Sequence, residues 1–277
     1  MVKFGLVLPY TDARTVARLA HKAEEAGWDG VFLGDAIWCL DPIVSLAAAA
    51  MVTSRIRLGI MVIPMPLRRP WKIASEAANL DHLSGGRAIL GLGTGAVWMG
   101  WQGFPDEVTG IRERAEMLDE GIDLLDLLFK REPCDYDGKQ FHLRLTQLDP
   151  AHYPPRPVQQ PRIPLWCVGA WPRTKSMKRV LKCDGLLPLK MNASGKFEEL
   201  KPADVHAIKT YVDANRTLTT PFEIVVEGKT TGLERPQVRD KVMPWVEAGA
   251  TWWIEGMWGD TEAQVNARID QEPPSLD

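Results

Sequence analysis

What most constrains this chain is an alternation. Short apolar runs and amphipathic stretches follow one another eight times, from the first residues almost to the last. Lys3 to Leu8 reads as a strand, and Ala13 to Ala26 as a helix with Val16, Leu19, Ala20 and Ala23 on one face, closed by Gly27. The pairs continue with Gly30 to Gly34 and Pro42 to Ser54, Ile56 to Ile63 and Trp71 to Leu83, then Ala88 to Leu92 and Ile111 to Phe129. Strands resume at Ile163 to Val168, Gly185 to Leu189, Phe222 to Val226 and Thr251 to Glu255. Helices lie near Arg173 to Lys182, Pro202 to Ala214, Pro236 to Ala248 and Thr261 to Ile269. Strands apolar almost throughout are covered on both faces, as parallel strands between helices are. Eight such units in 277 residues predict an α/β fold, a closed (β/α)8 TIM barrel forming one domain over residues 1–277, in preference to an open doubly wound sheet.

One segment breaks the pattern. Arg131 to Pro161, between the fourth helix and the fifth strand, is polar and holds six prolines, with a hairpin turn expected at Tyr136-Asp137-Gly138-Lys139. An irregular excursion of this length inside a compact domain usually serves a function. Its ends start at the amino-terminal face of the barrel, so it is expected to climb the side and act as a lid over the mouth. Phe141, Leu143 and Tyr153 would supply its apolar contacts.

In a (β/α)8 barrel the chemistry lies where strands end. Here those positions hold Pro9-Tyr10, Asp35-Ala36-Ile37-Trp38, Pro64-Met65, Gly93-Thr94-Gly95 with Trp98, Gly169-Ala170-Trp171, Lys190 and Met257-Trp258. The set is aromatic and nearly free of paired carboxylates. Eleven tryptophans are a heavy load, and Trp38, Trp98, Trp101, Trp171 and Trp258 fall at or beyond the rim, where flat faces suit a planar heteroaromatic ligand. Plugging a wide barrel is the alternative use of each. In Arg87-Ala88-Ile89-Leu90-Gly91-Leu92-Gly93-Thr94-Gly95 an apolar strand opens into alternating glycines, which let backbone approach a ring or phosphate without a Cβ between. Ordinary tight turns also use such glycines.

A second turn carries charge. Gly169-Ala170-Trp171-Pro172-Arg173-Thr174-Lys175 puts two cations at the start of a helix, where the macrodipole disfavours them by a few tenths of a kcal/mol each. An anion docked there would reverse the sign, with free N–H groups, Thr174, Arg173 and Lys175 converging on a phosphate. A solvated basic helix face is the competing explanation.

Composition narrows the partners. A net charge of −3 and a pI near 6.0 provide no broad positive field, so neither nucleic acid nor an anionic membrane is expected to bind. No stretch approaches the roughly 20 apolar residues of a membrane helix. Met1 to Pro9 lacks the long apolar region of a signal peptide, and a cytoplasmic protein is expected. Cys39, Cys134, Cys167 and Cys183 are scattered without a C-x-x-C pair, so four reduced thiols and no metal site are expected.

Taken in order, these residues resemble the luciferase-like monooxygenase family. The stretches that carry the likeness are Ala23-Glu24-Glu25-Ala26-Gly27-Trp28-Asp29-Gly30 into Leu33-Gly34-Asp35; Ser54-Arg55-Ile56-Arg57-Leu58-Gly59; Pro70 through Asn79-Leu80-Asp81 to Ser84-Gly85-Gly86-Arg87; Gly91 to Gly95; and Ile163-Pro164-Leu165-Trp166 with Asp184-Gly185. The resemblance implies a flavin-dependent barrel oxidoreductase or monooxygenase using FMN or the deazaflavin coenzyme F420. It also implies a cis Met61-Val62 peptide pressed against the flavin ring, ring contacts from Thr94 and Gly95, and a phosphate region over Gly169 to Thr174.

Two departures matter. Many members have a His after the Asp that ends the second strand, where this chain has Asp35-Ala36; F420-using relatives often have a Glu after Gly-Thr-Gly, where Ala96 stands. No catalytic residue is therefore assigned, and Asp35, Trp38 and Trp98 are the candidates for proton handling. His82 falls in a helix-end motif away from the expected mouth and reads as structural. The expected cofactor contacts are Asp35, Met61, Val62, Gly93, Thr94, Gly95, Gly169, Ala170, Trp171, Arg173, Thr174 and Lys175. The expected partner is a small organic substrate, acted on by hydride transfer or oxygen activation, and a homodimer is left open. A flavin-binding protein without turnover is the first alternative. A metal-dependent hydrolase is the second, and it would have to rely mainly on Asp35 and Glu255.

Overall fold

The alternation read from sequence forms as expected, with element ends moved by a few residues. The structure is a computed structural model that describes residues 2–276. In chain order its strands are β1 (Lys3–Val7), β2 (Gly30–Leu33), β3 (Arg57–Pro64), β4 (Ala88–Gly93), β5 (Asp135–Asp137), β6 (His142–Arg144), β7 (Leu165–Trp171), β8 (Gly185–Met191), β9 (Phe197–Glu198), β10 (Glu223–Gly228) and β11 (Trp252–Glu255). The helices are α1 (Ala13–Glu25), α2 (Pro42–Ala50), α3 (Pro70–Ser84), α4 (Ile111–Lys130), α5 (Thr174–Val180), α6 (Pro202–Asn215), α7 (Arg235–Ala248) and α8 (Glu262–Ile269). β1, β2, β3, β4, β7, β8, β10 and β11 pair in parallel around a circle, which β10 closes by pairing with β8 and β11 by pairing with β1. This is a (β/α)8 barrel.

Strand alternation divides the side chains into two cores. Outward positions such as Leu6, Val31, Leu58, Leu90 and Cys167 pack under the helices, while Val7, Phe32, Met61, Ile89, Trp166, Val225, Trp252 and Ile254 fill the barrel. Near the amino ends of the strands the filling is aromatic. Phe32 stacks on Trp166 with ring centroids 5.5 Å apart, and Trp252 meets both edge-on at 5.6 Å. Such pairs add about 0.5–1.5 kcal/mol each beyond the area they bury. Glycine makes the room: a Cβ on Gly59 would stand 2.3 Å from the Phe32 ring, and one on Gly185 would stand 2.4 Å from Trp166.

Several residues of the family-like stretches prove to be ties beneath the strands. The Glu24 carboxylate accepts N–H groups from Ser54 at 3.0 Å and Ile56 at 2.7 Å, fixing the entry to β3. Arg87 donates to the carbonyls of Ser84, Ile56 and Thr53 at 2.6–2.9 Å. That capture ends α2 at Ala50, four residues before the expected Ser54. His82 bonds the Arg156 carbonyl through Nε2 at 2.8 Å, in keeping with a structural role.

The segment from Arg131 to Pro161, expected as a lid, packs along the barrel wall and contributes no residue to the two cavities at the strand ends. Its β5–β6 hairpin lies along the outside of α4. The Glu120 carboxylate accepts the N–H groups of Lys139 at 2.8 Å and Phe141 at 2.9 Å, and the Lys139 ammonium reaches Glu116 at 2.5 Å. Phe141 is buried with Met117 and Leu124 and meets Trp71 edge-on. The return leg passes under the barrel, where Gln159 bonds both Asp81 and the Ala88 carbonyl. Burying Phe141 on the helix wall stabilises the hairpin there.

Candidate active site

Two adjoining cavities of about 650 and 580 Å³ open where the parallel strands end. They share a wall made by Met61, Val62, Val168, Leu189 and Trp258. The first cavity lies toward β1–β4 and the second toward β8–β11.

The floor of the first cavity follows from β3 and β4. The pairing register slips between Ile60 and Ile63, and the Met61-Val62 peptide within that slip is cis, as the resemblance implied. On β4, the inward positions after Ile89 are Gly91 and Gly93. A Cβ on Gly93 would stand 2.9 Å from Val62 Cγ2, so a side chain there would occupy the space over the floor. Gly95 has a φ of +79°, and a Cβ on it would meet the buried Trp101 ring at 2.5 Å.

Arg114 holds this loop in place. From the first turns of α4 its guanidinium donates to the carbonyls of Thr94 at 2.7 Å and Gly95 at 2.8 Å and lies over Trp101. It is buried and has no carboxylate within ion-pair distance among the described residues, and burial pushes its pKa down. The cavity thus carries an uncompensated positive charge on one side. Asp35 stands on another. Its side chain pairs with Arg68 at 2.8 Å, and burial outweighs that pairing and raises its carboxyl above the ordinary range.

Of the expected site residues, Asp35, Met61, Val62, Gly93, Thr94, Gly95 and Trp98 line this one cavity. Trp38 does not: it is 83% exposed and stacks on Phe104 at 6.0 Å, tying the loop after β2 to the loop after β4. Gly169, Ala170, Trp171, Arg173, Thr174 and Lys175 also line neither cavity. Gly169 faces outward, where a Cβ would strike Leu186 and Val180, and Trp171 packs on Tyr211. Arg173 donates to the carbonyls of Asn192 and Ala193. Further along, Arg179 and Lys182 pair with Asp119 and Asp123 of α4. These helix-to-helix ion pairs leave Arg173 and Lys175, the two cations that sequence connected with an anion, at the start of α5.

Sequence reading passed over several residues. Met99, Ile111, Arg114 and Phe197 line the first cavity beside Tyr10 and Trp101, which the strand-end reading names, and Glu227 lines the second. Arg114 had a signal, a cation early in a helix against the dipole. Glu227 sits one residue past the expected end of its strand, on the inward side with Val225. Glu255, on which a metal-dependent hydrolase would have leaned, points away from the mouth into a buried network with Thr230, Trp253 and Arg268.

The barrel and its glycine-floored, aromatic-walled strand-end cavity can now be set beside known proteins. The family model for luciferase-like monooxygenases matches residues 3–207, and the chain belongs to that family. It is 36% identical over 205 residues to a Mycobacterium tuberculosis protein named as a coenzyme F420-dependent oxidoreductase, a match that covers 68% of this chain and 55% of that protein. This chain therefore aligns with little more than half of that relative's length. Among solved structures, the coenzyme F420-dependent tetrahydromethanopterin reductase of Methanopyrus kandleri superposes with a TM-score of 0.71 at 19% identity, covering 98% of each chain. The FMN-bound oxygenating constituent of 3,6-diketocamphane monooxygenase from Pseudomonas putida superposes with a TM-score of 0.60 at 19% identity, covering 88% of this chain and 72% of the other. At those identities the superpositions speak for the fold.

Proposed function

We propose that this chain is an oxidoreductase that holds a flavin-type cofactor, coenzyme F420 or FMN, in the first cavity and exchanges hydride with a small organic substrate. The observation that carries this reading is the bare floor over Met61-Val62: the inward positions of β4 that would fill it are glycines, and a Cβ at Gly93 would meet Val62 at 2.9 Å. A flat ring needs such a surface, and the residues present fit one. Met61, Val62, Gly93 and Thr94 would hold the ring, with Trp98 on the rim side. Arg114 would offset negative charge on the cofactor, and the turn from Gly169 to Lys175 is the further candidate for its phosphate end. When bound, the cofactor supplies the site's hydride donor or acceptor.

The protein's own part is positional and electrostatic. Arg114 fixes the loop carbonyls, Arg68 orients Asp35, and the apolar walls exclude water from the reacting centre. F420 is the first cofactor to test, since the relative matched at 36% identity carries it in its name. Titrating the purified apo-protein with F420 and with FMN, read by fluorescence, is the test. Saturable binding of one of them supports the reading. Absence of binding by either up to about millimolar concentration, an affinity weaker than about −4 kcal/mol, overturns it. Ala36 and Ala96, where relatives carry acid–base side chains, favour a second reading of cofactor binding without turnover. A bound cofactor whose redox state never changes with any substrate offered would select that one.

A further inference from the structure

The second cavity contains a group that the cofactor reading leaves unused. Glu227 is the fifth residue of β10, paired with Ile254 of β11 and on the same inward side as Val225. Its Oε2 accepts a hydrogen bond from Trp258 Nε1 at 2.6 Å, and Trp258 stands in the wall between the two cavities. Among the described residues Oε1 has no partner and no cation lies within ion-pair distance. The charged neighbours are engaged elsewhere: Lys241 of α7 donates to the Lys229 carbonyl at 2.7 Å, and Lys229 pairs with Asp260 at 2.7 Å. Glu199 also lines this cavity, and so does Lys241. Most of the remaining wall is apolar, including Leu187, Leu189, Val225, Trp245 and Trp253. Room for the carboxyl is kept by Gly256, where a Cβ would stand 3.2 Å from Oε2.

We propose that the second cavity is the substrate chamber, that it takes an apolar carbonyl compound or the matching alcohol, and that Glu227 is the carboxylic acid that bonds the substrate oxygen and supplies its proton. This rests on the oxidoreductase reading above. In the reducing direction the bound reduced flavin or deazaflavin would supply the hydride for a new C–H bond at the carbonyl carbon and be oxidised. The C=O π pair would move to oxygen and take the Glu227 proton, leaving the alcohol and a carboxylate that regains its proton from water. The apolar surroundings push the Glu227 carboxyl above the ordinary glutamate range, against the lowering effect of the Trp258 bond. The role would fall to Glu227 because positions 36 and 96 are alanines.

The test needs no cofactor, so its failure is distinct from failure of the flavin titration. Apo-protein is loaded with cyclohexanone, and the carbonyl stretch is followed by difference infrared spectroscopy in wild type, Glu227→Gln and Glu227→Leu. The expected result is a band shifted to lower frequency in wild type, lost as pH rises through the Glu227 titration. The same shift should persist at all pH values in Glu227→Gln, whose amide still donates, and be absent in Glu227→Leu. A wild-type band identical to that of Glu227→Leu, or one that ignores pH, would overturn the proposal. Circular dichroism shows that each variant is folded.

Discussion

Two irregular segments flank α4, and they behave in opposite ways. Residues 94–110 run from the top of β4 to the top of α4, carry Trp98, Met99 and Trp101, and wall the first cavity. Residues 131–161 run from the bottom of α4 to the bottom of β7 and contribute to neither mouth cavity. Both are long, and the second has the more lid-like composition. What separates them is the face of the barrel at which their ends start. A strand-to-helix loop begins at the active face, whereas a helix-to-strand loop must cross the full height of the wall, and a buried anchor on the way halts it. Proline content and length are poor guides to a lid when a buried Phe141 stands at the start of the climbing hairpin strand.

The sharpest way to break this contrast is Phe141→Ala. Removing a fully buried ring should cost about 3–5 kcal/mol in denaturant-induced unfolding and change cofactor affinity by less than about threefold. A large loss of affinity with stability intact would return the segment to the mouth. Next in size is Gly93→Leu, expected to weaken F420 or FMN binding more than about 100-fold, or about 2.7 kcal/mol, with the far-ultraviolet circular dichroism unchanged. Unchanged affinity would place the ring elsewhere. A smaller effect is expected of Arg173→Ala with Lys175→Ala: about 1–2 kcal/mol of cofactor affinity, more at low salt than at high. No change would make that turn a scaffold for the carbonyls of Asn192 and Ala193 only.

Proteolysis compares the two segments directly. Cleavage within residues 96–108 should slow when cofactor is bound, while cleavage within residues 135–157 should not. The smallest effect concerns pH. Its hydrogen bond from Lys139 holds the Glu116 carboxyl down at about 2, below its ordinary value. A depressed carboxylate stabilises the fold above its unfolded pKa and loses that contribution as pH falls through the folded value. Amide exchange at Gly138, whose N–H bonds the Phe141 carbonyl across the turn, should therefore quicken, relative to exchange elsewhere, between the ordinary glutamate range and about pH 2. Glu116→Gln should remove this dependence, and an unaltered profile would show that the contact does not hold the hairpin.

The sequence by itself determined the barrel, because eight apolar runs and eight amphipathic ones leave little other way to cover both faces of each strand. It determined half the site as well. Gly93, Thr94 and Gly95 were legible because a surface made of backbone requires glycine at set positions, and glycine is visible as a letter; Met61 and Val62 were named only through the resemblance to a family. Tertiary structure alone decided the rest. Glu227 is one acid among the thirty-six Asp and Glu of the chain until strand closure turns it inward beside Trp258, where among the described residues it forms no ion pair. Arg114 is one helix cation among many until the carbonyls of Thr94 and Gly95 come to meet it. A side chain's role depends on what surrounds it, and in a closed barrel most of those surroundings come from distant parts of the chain.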